Sequence, residues 1–322
     1  MIEVKHPGKL YVMGEYSVMQ PGNSAVLIAV KQKMITRIEA SPETRIETQY
    51  GTFRPQHSDE KSLRYVKQAY EVCEAYLRFK QVSFKPFKMK ITSTLDVEGK
   101  KYGFGSSGVV IVSVLDAMLH YHALNVDALT LFKLSVYTQY LMHEMSSGGD
   151  IAVAVYGQSL AYTRYDTACV TADIRCVEME WNQLMIQPLK LDVDIFVGWT
   201  QSPYKTPDAL NHAKRFETLY PDAYVKRCDE AQEIVMGFIS NPQNLKYIDM
   251  YRDWMRSFQK WTHQAIETEQ LTHLIQSAQD CGFVAKVSGA GGGDCGIALG
   301  RDLDPTPLYR EWEKHGIIPV EI

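Results

Sequence analysis

Short β-branched runs alternate with longer helical periods along the first half of the chain. "SAVLIAV" (24–30) and "MITRIEA" (34–40) predict two strands separated by a turn's worth of polar residues. Over 60–80 the period changes: Leu63, Val66, Ala69, Tyr70, Cys73, Tyr76 and Leu77 fall at helical spacing and predict an amphipathic helix. "FKMKITSTL" (87–95) alternates as a half-buried strand does. "VVIVSVLDAML" (109–119) is apolar on all sides, which predicts a buried helix, and "ALTLFKLSVYTQYLMHEM" (128–145) predicts another. Small and apolar residues continue over 150–165, and a proline then interrupts the pattern in "NQLMIQPLKLD" (182–192). Beyond it "VDIFVGW" (193–199) predicts a strand, and several helices follow to about residue 280. The chain ends as strand, glycine turn, strand, helix, strand: "FVAKVSG", "CGIALG", "PLYREWEK", "IIPVEI". This order predicts an α+β or mixed α/β protein in two lobes, divided as 1–185 and 186–322.

Composition narrows the function. The 322 residues suffice for two domains or one large one, and 45 % hydrophobic with 22 % charged residues is the balance of a globular protein. A formal net charge of −4 disfavours a general nucleic-acid partner, so any basic patch must be local. Six cysteines stand at 73, 169, 176, 228, 281 and 295 without a C-x-x-C pair. That spacing indicates neither a zinc site nor a disulfide framework, and it fits buried thiols in a reducing compartment. The N-terminus has no apolar leader core, and no stretch is long enough to span a bilayer. A cytoplasmic protein with no membrane partner is expected, with monomer and homodimer both open.

Candidate chemistry sits in the glycines. Residues 100–119, "KKYGFGSSGVVIVSVLDAML", place two lysines, three glycines and two serines ahead of the buried helix. Gly103, Gly105 and Gly108 satisfy G-x-G-x-x-G, yet three common phosphate loops are disfavoured. A dinucleotide fold needs an acidic residue ending the next strand, and the next one after Asp116 is Asp127, which opens a helix. The protein-kinase signatures do not follow, and Gly108 precedes Val109 where a P-loop has Lys. The loop still meets the start of a helix, where unpaired N–H groups and the macrodipole favour an anion. On its own it reads equally well as a plain loop with a serine N-cap. Two further clusters, "PGKLYVMGEY" (7–16) and "KVSGAGGGDCGIA" (286–298), shift that balance. Glycine runs this permissive cost entropy and point to close approach of a ligand. Three of them suggest one shared anion.

The three clusters, in this order and spacing, resemble motifs 1, 2 and 3 of the GHMP kinases over nearly the whole chain. "GKLYVMGEYSV", "KYGFGSSG", "SSGGDIA", "VGWTQSP" and "SGAGGGDCGIAL" are most similar to the bacterial branch acting on (R)-5-phosphomevalonate. The resemblance implies a ribosomal protein S5 domain 2-like N-terminal lobe, a ferredoxin-like α+β C-terminal lobe, and ATP, Mg²⁺ and substrate between them. It further implies that Gly103, Gly105, Ser106, Ser107 and Gly108 wrap the ATP phosphates, with Ser107 as the Mg²⁺ ligand. Asp150 would be a general base or electrostatic positioner, and Lys9 beside it would neutralise developing charge and meet the substrate. Tyr16 and Ser147 would donate to the substrate phosphate, and Ser288, Gly289, Ala290, Gly291 and Gly292 would complete its pocket. Lys101 would offset repulsion between the two phosphorylated reactants, while Lys100 faces the other way in an extended segment and is read as solvated. Plainer roles stand beside these: a helix cap for Asp150, a surface lysine for Lys9, core packing for Tyr16 and for Trp199.

Two departures matter. The glutamate that mevalonate kinases use as a second metal ligand falls near Gln139, a poorer ligand for a hard dication. The metal is then expected to lean on Ser107, ATP oxygens and water. Gly108 stands where many relatives carry alanine. His120 and His122 are two apart on a helix and cannot share a metal. The resulting expectation is ATP-dependent phosphorylation of phosphomevalonate to the diphosphate, on the route to isopentenyl diphosphate. The alternatives are mevalonate kinase or another small-molecule GHMP kinase, disfavoured by Lys101 and Gln139, and an inactive ligand sensor, disfavoured by Lys9, Ser107 and Asp150 occurring together.

Overall fold

Strand β1 (Ile2–Met13) starts half-exposed and is buried from His6 onward, apart from the partly exposed Lys9. It pairs antiparallel with β2 (Ser24–Ala40), from Ile2 opposite Ile38 to Met13 opposite Val26. The computed structural model describes residues 1–55, 61–97, 100–144, 146–202, 204 and 206–322. Glu60, Met145 and Pro203, at the ends of stretches read above, lie outside the described residues. β2 corrects the expectation of two strands: Lys31, Gln32 and Lys33 continue its alternation instead of turning. The strand runs on because it changes neighbours, pairing with one strand over 24–27 and another over 34–40.

The first lobe continues with the hairpin β3 (Arg45–Thr48) and β4 (Gly51–Phe53), helix α1 (Arg64–Phe79) and β5 (Phe87–Ser93). A ribbon of β6 (Asp96–Val97) and β7 (Lys100–Lys101) leads into α2 (Ser106–Tyr121), α3 (Ala128–Leu141) and α4 (Gly149–Tyr156). Strands β8 (Leu160–Thr163) and β9 (Met185–Pro188) complete a sheet ordered β4-β3-β5-β2-β8-β9, with β1 also on β2. Helix α2 packs on β1, β2, α1, α3 and α4 at once, as its apolar circumference requires. Each of its buried Val, Ile and Leu side chains stabilises the fold by roughly 1.5–3 kcal/mol.

The second lobe holds β10 (Asp194–Trp199), α5 (Thr206–Leu219), α6 (Pro221–Ser240), α7 (Lys246–Thr262), α8 (Glu269–Asp280), β11 (Val284–Ser288), β12 (Cys295–Gly300), α9 (Thr306–Lys314) and β13 (Ile318–Val320). Its antiparallel sheet is ordered β11-β12-β10-β13. A division at 185 cuts into β9, which still pairs with β8, so the chain leaves the first sheet only after Pro188. No helix among the described residues is long and apolar enough to cross a membrane.

The lobes are joined by buried polar contacts. Ser288 Oγ donates to the Tyr11 carbonyl (2.8 Å) and accepts from the Tyr11 N–H (3.1 Å), clamping β11 to β1. Lys286 Nζ donates to Glu15 at 2.5 Å, and the Gly289 N–H reaches the same carboxylate at 3.3 Å. Trp199, buried at the end of β10, meets the Tyr102 ring edge-on, with centroids 4.7 Å apart.

Candidate active site

Asp150 stands in the first turn of α4, and its carboxyl accepts from the backbone N–H groups of Asp150, Ile151 and Gly108. It therefore lies between the N-termini of α4 and α2, where both macrodipoles favour negative charge. The loop before α2 is shaped around it. Gly105 adopts φ 75°, and a Cβ there would sit 2.8 Å from Asp150 Cβ, while a Cβ on Gly108 would collide with its carboxylate. These two glycines are thus required by the carboxyl itself as well as by any phosphate above it. The N-cap of α2 is Gly105, with no side-chain cap, so Ser106 and Ser107 are not capping residues and their hydroxyls are available to a ligand.

Lys9 reaches the same point from β1. Its backbone N–H donates to the Phe104 carbonyl at 3.0 Å, and its ammonium lies 4.5 Å from the centroid of the Tyr11 ring. Burial pushes the Lys9 ammonium below the ordinary lysine range, opposed by the carboxylates of Asp150, Glu15 and Asp294. Burial pushes Asp150 in the raised direction, opposed by Lys9 and the backbone donors. Each group opposes the shift that burial imposes on the other.

Asp294 closes the site from the second lobe. A Cβ on Gly103 would sit 2.6 Å from its Oδ2. Burial raises its carboxyl to about 6, against the pull of the Tyr204 N–H, Lys9 and Lys101. Both lysines of the β6–β7 ribbon are exposed, and Lys101 lines a cleft of about 310 Å³ together with Ser106, Ser107, Tyr50, Tyr65 and Leu95. Tyr65, hydrogen-bonded to the Ser107 side chain, donates to Glu144, whose oxygens are each 3.0 Å from its hydroxyl.

The other expected residues divide. Tyr16 is buried, donates to the Ala290 carbonyl at 2.5 Å and accepts from Gln264 at 2.9 Å. The Ser147 hydroxyl is engaged by Tyr11 (2.8 Å) and the Gly149 N–H (3.1 Å), and Ser288 is spent on the lobe clamp. In the third glycine cluster only Gly289 has open space on its Cβ side, whereas Gly291 and Gly292 are covered by Ile266 and Tyr204. Gln139 is buried and its Oε1 has no partner. Asp294 and Glu144 were missed in the sequence, although Asp294 closes the quoted "SGAGGGD".

No cluster of three metal-ligating His, Cys, Asp or Glu side chains occurs among the described residues. The Ser107 hydroxyl and the Glu144 carboxylate both meet Tyr65, Glu144 is also paired with Arg64 at 2.6 Å, and both are hard oxygens of the kind Mg²⁺ takes alongside phosphate and water.

Comparison with known proteins accords with this arrangement. Residues 64–158 match the profile of the GHMP kinases N terminal domain and residues 244–318 that of the GHMP kinases C terminal domain. The phosphomevalonate kinase of Streptomyces sp. strain CL190 is 27 % identical, over 99 % of this chain and 96 % of that protein. That of Saccharolobus solfataricus is 26 % identical, over 100 % of this chain and 97 % of its own. The structure of Streptococcus pneumoniae phosphomevalonate kinase with phosphomevalonate and AMPPNP superposes with a TM-score of 0.89 at 27 % identity, covering 100 % of both chains.

Proposed function

Because the chain belongs to the GHMP kinases, we propose that it transfers the γ-phosphoryl group of ATP to (R)-5-phosphomevalonate, giving the 5-diphosphate and ADP. The observation that carries the chemistry is the half-buried pair Lys9 and Asp150 at the start of α2, packed so tightly that Gly105 and Gly108 admit no side chain.

The ATP phosphates lie along Gly103–Gly108 on the N-terminus of α2, and the base enters the cleft beside Tyr50 and Leu95. A phosphate oxygen of the acceptor attacks the γ-phosphorus in line as the bond to ADP breaks. The acceptor is a phosphomonoester with a second pKa near ~6, so it is mostly deprotonated at neutral pH. Asp150 therefore serves chiefly to hold Lys9 and to take any remaining proton. Lys9 and Lys101 offset the repulsion of two anionic reactants, which is on the order of 4 kcal/mol for unit charges 4 Å apart at an effective dielectric near 20. Mg²⁺, held by Ser107 with Glu144 nearby, would neutralise the triphosphate. The substrate phosphate faces Gly289 across the lobe junction, with Tyr16 fixing the Ala290 carbonyl behind it. The reactants are small and soluble, and we place the reaction in the cytoplasm.

Coupled ADP release over phosphomevalonate, mevalonate, homoserine and galactose tests this reading. Turnover with phosphomevalonate well above the other three is expected. Preference for mevalonate would assign the chain to the neighbouring kinase, and no turnover at all would leave a ligand sensor.

A further inference from the structure

His6 precedes Lys9 by three residues on β1, is only 6 % exposed, and takes no part in the chemistry above. Its Nδ1 lies 2.8 Å from the carbonyl of Ala154 on α4. Its Nε2 lies 3.1 Å from Oδ2 of Asp116 on α2, and Nδ1 of His120 lies 3.0 Å from the other oxygen of that carboxylate. Opposite it on β2 stands Met34, which is uncharged. A neutral imidazole has one N–H and one lone pair. Between a carbonyl and a carboxylate, that lone pair would face an acceptor whichever nitrogen carried it. His122, also buried near the end of α2, shows the contrasting case. Its Nδ1 faces the Met118 carbonyl at 2.7 Å, while its Nε2 accepts from the Lys85 N–H at 3.0 Å, the pattern of a neutral ring.

We propose that His6 is an imidazolium paired with Asp116, and that it is a positioning residue for phosphoryl transfer. The ring ties together the three elements that carry the reacting groups: β1 with Lys9, α2 with Ser106 and Ser107, and α4 with Asp150. The tie acts where β1 needs it. The β1–β2 register slips between Pro7 and Lys9, so the ladder alone does not fix where Lys9 points. On the far side of the slip the Lys9 N–H is anchored to Phe104, and on the near side His6 supplies the anchor. Two donated bonds on a charged ring hold this end more firmly than neutral ones would.

The functional half of this inference rests on the kinase reading of Lys9 and Asp150; the charge on the ring does not. Nitrogen-15 NMR of the full-length enzyme at neutral pH should show two N–H groups on the His6 ring, identified by their loss in His6→Gln. A single N–H would overturn the proposal. His6→Phe, which fills the volume without donors, should lower kcat roughly tenfold or more, as expected for a slight misplacement of reacting groups, with KM for ATP little changed. A lower melting temperature with kcat per folded enzyme unchanged would mean the ring is only structural. Should His6→Phe fail to fold, Asp116→Asn decides: it removes the charge and can turn an amide N–H toward Nε2, so it should cost one ring N–H and lower kcat. Retention of both overturns the proposal. If the wild-type enzyme itself lacks kinase activity, the function proposed above fails, while the NMR result still judges the ring.

Discussion

Asp294 couples folding to pH in a direction set by its surroundings. Burial lifts its carboxyl from 3.8 to about 6, so between those values the folded protein holds a proton that the unfolded chain releases. Its contribution to stability is therefore most favourable below the window and is lost as pH rises through it. Asp150 is shifted in the same direction for the same reason. Asp294→Asn should flatten, without abolishing, the fall in denaturant midpoint as pH rises across the window; an unchanged profile would show that Asp294 is ionised as easily folded as unfolded. The proposed hold on Mg²⁺ also turns on single residues. Counting back from Asp150 puts the glutamate position of mevalonate kinases near Gln139, within α3, whereas Glu144, beyond the end of α3 at Leu141, accepts from Tyr65 and pairs with Arg64. Residue counting cannot see where a helix stops. Ser107→Ala and Glu144→Gln should each raise the Mg²⁺ needed for half-maximal rate more than Gln139→Ala does. Equal shifts, or a larger one for Gln139, in Mg²⁺ titrations at fixed ATP would contradict the reliance on Ser107.

At the scale of elements, what was legible depended on length. Helix α1 was plain because many residues report one period, and α2 because a long run is apolar all round, whereas β6 and β7 have two residues each and report neither. That ribbon nevertheless sets the two lysines. Lys100 pairs with Val97 and Lys101 with Asp96, so the side chains leave opposite faces, with Lys101 at the cleft. Lys101→Met should raise KM for phosphomevalonate by about tenfold or more, the loss of one charge contact of ~1.4 kcal/mol, with a smaller effect on KM for ATP. Lys100→Met should change little. Four KM values at constant ionic strength check this, and an effect of Lys101→Met confined to ATP would assign the lysine to the nucleotide.

Across the whole molecule, the two lobes and the three glycine clusters were visible in the sequence, but the contacts joining them were not. Lys286 and Glu15 are 271 positions apart and no local pattern connects them. Their ion pair is buried, and the second Glu15 oxygen has no partner, so the carboxylate depends on Lys286. Lys286→Met should destabilise the fold by roughly 3–5 kcal/mol in chemical denaturation, the usual loss when one member of a buried pair is removed. A change near zero would mean that water compensates Glu15. The lobes matter because they bring Lys9 of the first to Asp294 of the second, and Glu15 to the Gly289 loop, where the proposed reaction needs both lobes. The product reports directly on that arrangement. Phosphorus-31 NMR of phosphomevalonate incubated with ATP, Mg²⁺ and the enzyme should show coupled doublets of a new P–O–P linkage growing one for one with ADP, at a rate lower by roughly two orders of magnitude in Asp150→Asn. Inorganic phosphate growing in their place, or doublets formed equally fast by the variant, would contradict the account.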